Sequence, residues 1–178
     1  MAALMAARFP NVTWWCPQLP ASPREAMKML MDGIQAWPRD SMSVIGSSLG
    51  GFYATAVAAQ TGCKAVLLNP AVNPARDLEK YIGEQTSWHD PQERFFFLPE
   101  FVDELRAITQ GMAQSKANSL TQLERTFAVI AKGDEVLDWQ EMTARYKGAR
   151  IKLMEGGDHA LSDFDDHVGD ILAFLNLR

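Results

Sequence analysis

The run Val44–Ala54, VIGSSLGGFYA, constrains this chain more than any other stretch. An apolar run enters a Gly/Ser-rich turn, and a helical apolar stretch leaves it. Gly46-Ser47-Ser48-Leu49-Gly50 is a G-x-S-x-G pattern set between a strand and a helix. In that context the pattern marks a serine nucleophile on a sharp strand-to-helix turn. A serine held there has an unfavourable backbone conformation, so its neighbours two positions away must be small, and Gly46 and Gly50 meet the requirement. The helix start aims backbone N–H groups and the positive end of its dipole at a developing oxyanion. The N–H of Leu49 is the candidate oxyanion-hole donor. The plainer reading is that small residues simply make tight turns. Ser47 is a competing serine, but it lacks the flanking glycines and is expected to pack.

The rest of the chain decides between these readings. A serine hydroxyl needs a base, and the base needs an orienting acid. For a serine on such a turn, the acid follows in the chain and the histidine comes after it. Of the three histidines, His159 lies in EGGDHAL, between the strand RIKLM and the last helix, where the base belongs. His89 and His167 read as surface or packing residues. The acid should follow the strand FAVIA, whose exit loop KGDEVLD offers Asp134, Glu135 and Asp138. Asp134 comes first, with Val136 and Leu137 to anchor the loop, and is favoured over Asp138. Asp158 is the other contender, but adjacent side chains usually diverge. Three unconnected polar loop residues would not be expected in this order at the ends of successive strands.

The remaining pattern alternates. VTWWCPQL, Val12–Leu19, is rich in β-formers. SPREAMKMLMDGIQAW opens on a capping box, with Ser22 as cap, Pro23 in the first turn and Glu25 reaching back. Met27, Leu30, Met31 and Ile34 fall on one helical face. MSVIG, KAVLLNPA, TFAVIA and ARIKLMEGG read as strands. GGFYATAVAAQTG, DWQEMTARYKG and SDFDDHVGDILAFLNL read as helices, the first apolar all round and capped by Gly62, the last with Phe164, Val168, Ile171, Leu172 and Leu175 on one face. Apolar strands alternating with helices predict an α/β fold, with a mostly parallel sheet covered on both faces. Residues 73–123 break the rhythm with helical signals and no clear strand, and a helical lid insertion is expected there. Its aromatic cluster, Trp88 and Phe95–Phe97, reads as core or as substrate-facing.

Length and charge narrow the rest. A chain of 178 residues fits one domain, 1–178. A net charge of −5 argues against a nucleic-acid partner. No apolar run approaches the ~20 residues of a membrane span. In MAALMAARFPNV the charge follows the apolar stretch, unlike a signal peptide, so a cytoplasmic protein is expected. Cys16 and Cys63 are too few for a disulfide framework and read as buried thiols. The histidine spacings point to no metal or cofactor.

VIGSSLGGFYATAVA, AVLLNPAVNP, KGDEVLD and EGGDHAL, with CPQLP near the start, resemble the YqiA/YcfP family of small bacterial esterases. The resemblance runs from Trp15 onward. It implies an α/β-hydrolase fold and hydrolysis of small-molecule carboxylic esters, with acyl-CoA thioesters as possible substrates. Position by position it makes Ser48 the nucleophile, Asp134 the acid and His159 the base. It also implies something not found here. Such esterases begin with a central strand ending in a His-Gly loop, which supplies the second oxyanion N–H. No His-Gly pair occurs in this chain, and Met1–Arg8 resembles the end of the helix after that strand. The expectation is therefore an incomplete version of the domain, or another element filling the gap. An unfilled slot would leave strand groups unpaired at ~1–3 kcal/mol each, and a missing oxyanion donor would cost ~10²–10³ in kcat.

Overall fold

The computed structural model describes residues 2–86, 92, 94–115 and 119–177. Its main sheet is parallel, in the order β1 (Ser43–Ser47), β2 (Lys64–Leu68), β5 (Thr126–Ala131) and β6 (Arg150–Met154). Burial follows the order. Every position of the central strand β5 is buried, while the edge strands β1 and β6 are only partly covered. This is why TFAVIA is a continuous apolar run: a parallel strand between two others has no solvent face.

Successive strand residues feed opposite layers. Ala65, Leu67, Ala128 and Ile130 join a core with α2 (Pro23–Gly33), α3 (Leu49–Thr61), α5 (Pro99–Gln114) and α7 (Trp139–Arg145). Val66, Leu68, Phe127 and Val129 face the other way, toward Leu161 in the loop after β6 and Ile171 in α8 (Val168–Leu175). Met5 of α1 (Ala2–Arg8) packs on Val168 and Leu172. Helix α3 is buried from Gly51 to Ala58, as its lack of a polar stripe requires, and ends at Gly62 with φ 73°. At the start of α2 the Ser22 hydroxyl accepts from the Glu25 N–H and donates to Glu104 of α5 at 2.7 Å. Glu104 also accepts from the Arg24 backbone and guanidinium, so the cap joins two helices.

Three expectations need correction. The segment Thr13–Cys16, rich in β-formers, is not a strand. Its two tryptophans pack separately instead, while Thr13 and Cys16 are exposed. Trp14 joins the α1–α8 cluster, and the Trp15 ring lies so close over Gly33 that a Cβ there would sit 2.2 Å from Cη2. An extended stretch becomes a strand only when a neighbour pairs with it, and among the described residues β1 pairs with β2 alone. Cys16 is exposed, whereas Cys63 is buried as expected.

The third correction lies within residues 73–123. After α4 (Pro74–Leu78) and a 3-10 turn (Glu79–Tyr81) comes an antiparallel pair, β3 (Gly83–Thr86) with β4 (Arg94–Phe97). Helix α6 (Leu120–Glu124) closes the segment. Of the phenylalanine run only Phe97 is buried, against Phe101, while Phe95 and Phe96 are exposed. Trp88 and His89 lie outside the described residues. His167 precedes α8 rather than lying inside it, and is buried. Among the described residues no helix is long and apolar enough to cross a membrane.

Candidate active site

Ser48 sits where β1 becomes α3, with φ 52° and ψ −122°. For a residue with a Cβ this is strained backbone, at a typical cost of ~1–3 kcal/mol. Four backbone hydrogen bonds hold it. The Ser48 N–H donates to Leu68 O at 2.9 Å, and the Ser48 carbonyl accepts from Gly51 N at 2.9 Å, Ala71 N at 3.0 Å and Phe52 N at 3.3 Å. The turn is thereby fixed to β2 and its exit loop. Gly46 is required by contact, since a Cβ there would lie 2.1 Å from Gly50 O. The second close approach is at Gly51 rather than Gly50. A Cβ on Gly51 would meet Pro70 Cβ at 2.8 Å, whereas a Cβ on Gly50 would meet nothing within 4 Å. Ser47 is exposed instead of packed.

The loops after β5 and β6 bring the other two candidates to this turn. His159 Nε2 is 2.9 Å from Ser48 Oγ, and Nδ1 is 2.8 Å from Asp134 Oδ2 and 3.0 Å from Oδ1. The Asp134 side chain is fully buried and that of His159 is 20% exposed. Asp134 Oδ1 also accepts from the N–H groups of Val136 and Leu137, each at 2.8 Å. Leu137 packs on the core as expected, but Val136 is exposed. The two loops touch at Gly133, where a Cβ would lie 2.2 Å from Gly157 O. Ser48, His159 and Asp134 thus form one hydrogen-bonded chain, and Leu49 opens the helix whose first N–H groups have no partner within the helix.

The competing carboxylates have other employment. Asp138 caps α7 by accepting from Gln140 N at 2.8 Å. Asp158 accepts from the hydroxyl and the N–H of Ser162, which hold it below the usual carboxylate range. Glu135, passed over in the sequence, accepts from the His159 N–H at 3.0 Å and ties the acid loop to the base loop. The only sequence signal for it was its place beside Asp134. Two clefts of about 230 and 580 Å³ are lined mainly by α2, α3 and α5 residues such as Met27 and Ile108, and by none of these three.

A parallel sheet with helices on both faces and these residues at its C-terminal ends is the α/β-hydrolase fold. A protein described as a hydrolase from Agrobacterium vitis S4 superposes with TM-score 0.58 at 17% identity, over 86% of this chain and 69% of that one. An alpha/beta superfamily hydrolase from Oenococcus oeni PSU-1 gives 0.57 at 18%, over 90% and 77%. Est1E from Butyrivibrio proteoclasticus, solved with ferulic acid, gives 0.57 at 13%, over 85% and 66%. At such identities the likeness is one of fold. The model of the uncharacterised protein family UPF0227, the YqiA/YcfP family, matches residues 1–176, and the chain belongs to that family.

Proposed function

We propose that this protein is a serine hydrolase acting on carboxylic esters through Ser48, His159 and Asp134. The observation that carries the proposal is the unbroken chain from buried Asp134 through His159 to a serine at φ 52°. Asp134 accepts from His159 Nδ1–H and so leaves Nε2 free to take the Ser48 proton. Ser48 Oγ attacks the acyl carbonyl, and the tetrahedral oxyanion forms beside the Leu49 N–H. Imidazolium His159 then protonates the leaving alcohol. Water, deprotonated by His159, hydrolyses the acyl-enzyme along the same route. The esterases among proteins of this fold, such as Est1E, support the reading. A thioester presents the same acyl carbonyl and is handled by the same steps.

A second reading is a catalytically weak or inactive binding module of the same fold. The observation that favours it is the edge of β1 beside Ser48: among the described residues β1 pairs with β2 alone, and no described strand brings the loop that the family resemblance implies for the second oxyanion donor. Steady-state hydrolysis of p-nitrophenyl esters of graded acyl length separates the two. The proposal expects turnover that Ser48→Ala abolishes without changing the thermal unfolding midpoint by more than a few degrees. No turnover by the wild type, or equal turnover by Ser48→Ala, sinks it.

A further inference from the structure

Asn69 follows β2 and stands between the loops that carry the acid and the base. It is fully buried and has φ 39°. Its backbone N–H donates to Val129 O at 2.9 Å. Its side chain is used on both ends. Oδ1 accepts from the N–H of Ala131, the last residue of β5, at 2.8 Å. Nδ2 donates to Asp158 O at 2.9 Å and to His159 O at 3.1 Å. The amide orientation is not arbitrary, because turning it over would set the oxygen against two carbonyls and the NH₂ against an N–H.

Backbone conformation alone does not explain this residue. Asparagine tolerates a positive φ better than most residues, but glycine does so at no steric cost. The amide adds three hydrogen bonds to three different backbone groups. One is on the strand that leads to Asp134, and two are on the turn that carries His159. The Ser48 turn is tied to the same place, through Leu68 immediately before Asn69 and Ala71 just after it. No described side chain other than that of Asn69 is shown bonded to the backbone of both the β5 end and the His159 loop.

We propose that Asn69 is a positioning residue that sets the His159 ring against Asp134 and Ser48, an inference that rests on the function proposed above. Fixing His159 O and Asp158 O fixes the main chain on both sides of the His159 Cα, and so the direction in which the ring leaves the loop. Glu135 restrains the same segment from the other side, through the His159 N–H. Displacing a reacting group by about 1 Å can cost ~10²-fold in rate.

Two variants test this. Asn69→Gly holds the backbone conformation and removes the amide. Asn69→Asp keeps the size and the acceptor for Ala131 but loses both donors. Each is followed by thermal unfolding, by kcat and KM on a p-nitrophenyl ester, and by the downfield proton resonance of His159 Nδ1–H in its bond to Asp134. The expected result is cooperative unfolding, a fall in kcat of about 10²-fold, KM within about threefold, and a broadened or missing resonance. The inference is overturned if a folded variant keeps the wild-type resonance, or keeps kcat within about threefold. It is also overturned if neither variant folds, because Asn69 is then a residue of the fold alone. A wild type with the resonance but no Ser48-dependent turnover removes the proposed function, and the resonance in the variants then decides the role of Asn69 by itself. A wild type without the resonance overturns the positioning role directly.

Discussion

Asp134→Asn separates the geometry of the site from its protons. In the wild type Asp134 Oδ1 accepts from the Val136 and Leu137 N–H groups at 2.8 Å each, while Oδ2 faces His159 Nδ1 at 2.8 Å. An asparagine must choose an orientation. With its NH₂ toward Val136 and Leu137 it would lose two hydrogen bonds of about 1 kcal/mol each and press donors together. That bias of about 2 kcal/mol is roughly 30-fold in population, so the amide oxygen stays on the loop and the NH₂ faces His159. Nδ1 must then accept, the ring proton moves to Nε2, and Ser48 loses its base. The wrong tautomer costs ~10⁴ in kcat in the serine-protease case, equivalent to about 5.4 kcal/mol of barrier. The loop itself should survive, because both of its N–H bonds do. The assay is steady-state ester hydrolysis beside a thermal melt. Asp138→Asn, which alters only the cap of α7, is the control and should leave kcat within a few-fold. If Asp134→Asn stays within tenfold of wild type while Asp138→Asn or Glu135→Gln abolishes turnover, the orienting acid has been misassigned.

Two further outcomes concern the scaffold. Burial pushes the Glu104 carboxyl up, but the bonds from Ser22 and Arg24 outweigh it and hold the pKa below the usual range. A depressed folded pKa gives stability that is full above the unfolded value of ~4.3 and is lost as pH falls through the folded one. The melting temperature of Glu104→Gln should therefore trail wild type at pH 7 and converge with it in acid, and a gap that widens on acidification would contradict the assignment. Hydrogen exchange tests the edge of β1 that no described strand pairs with. The Ser48 N–H points to β2, so by the alternation of a parallel strand those of Ile45 and Ser47 point away from it and should exchange fast beside a protected Val66 and Leu67; slow exchange at Ile45 and Ser47 would show that the edge is covered.

The meeting of Ser48, Asp134 and His159 was more legible in the sequence than the edges of the sheet. Ser48, Asp134 and His159 could be read because each sits at the end of an apolar strand with a fixed place in chain order, and the turn around Ser48 needs glycine at Gly46 for contact reasons visible in the motif. The central strands were legible because burial on both faces leaves an uninterrupted apolar run. What failed depended on partners distant in sequence. TWWC has the composition of a strand but pairs with no neighbour among the described residues. RFFF pairs with GEQT, a polar segment that carries no strand signal of its own. Gly51 matters through Pro70, and Glu135 through the His159 backbone, and neither contact leaves a local pattern. Asn69 lay in plain sight within NPAVNP, but a buried amide joining three segments is apparent only once the segments are together.

The most direct test of the central claim is covalent labelling with a fluorophosphonate, read by intact mass and mapped by peptide sequencing. The reagent reports whether a serine is activated by a neighbouring base, whatever the natural ester is. The account predicts one adduct per chain, on Ser48, formed rapidly in the wild type, abolished in Ser48→Ala and slowed by orders of magnitude in His159→Ala. An unlabelled wild type, an adduct on Ser47, or labelling of Ser48 that is indifferent to His159 would contradict it.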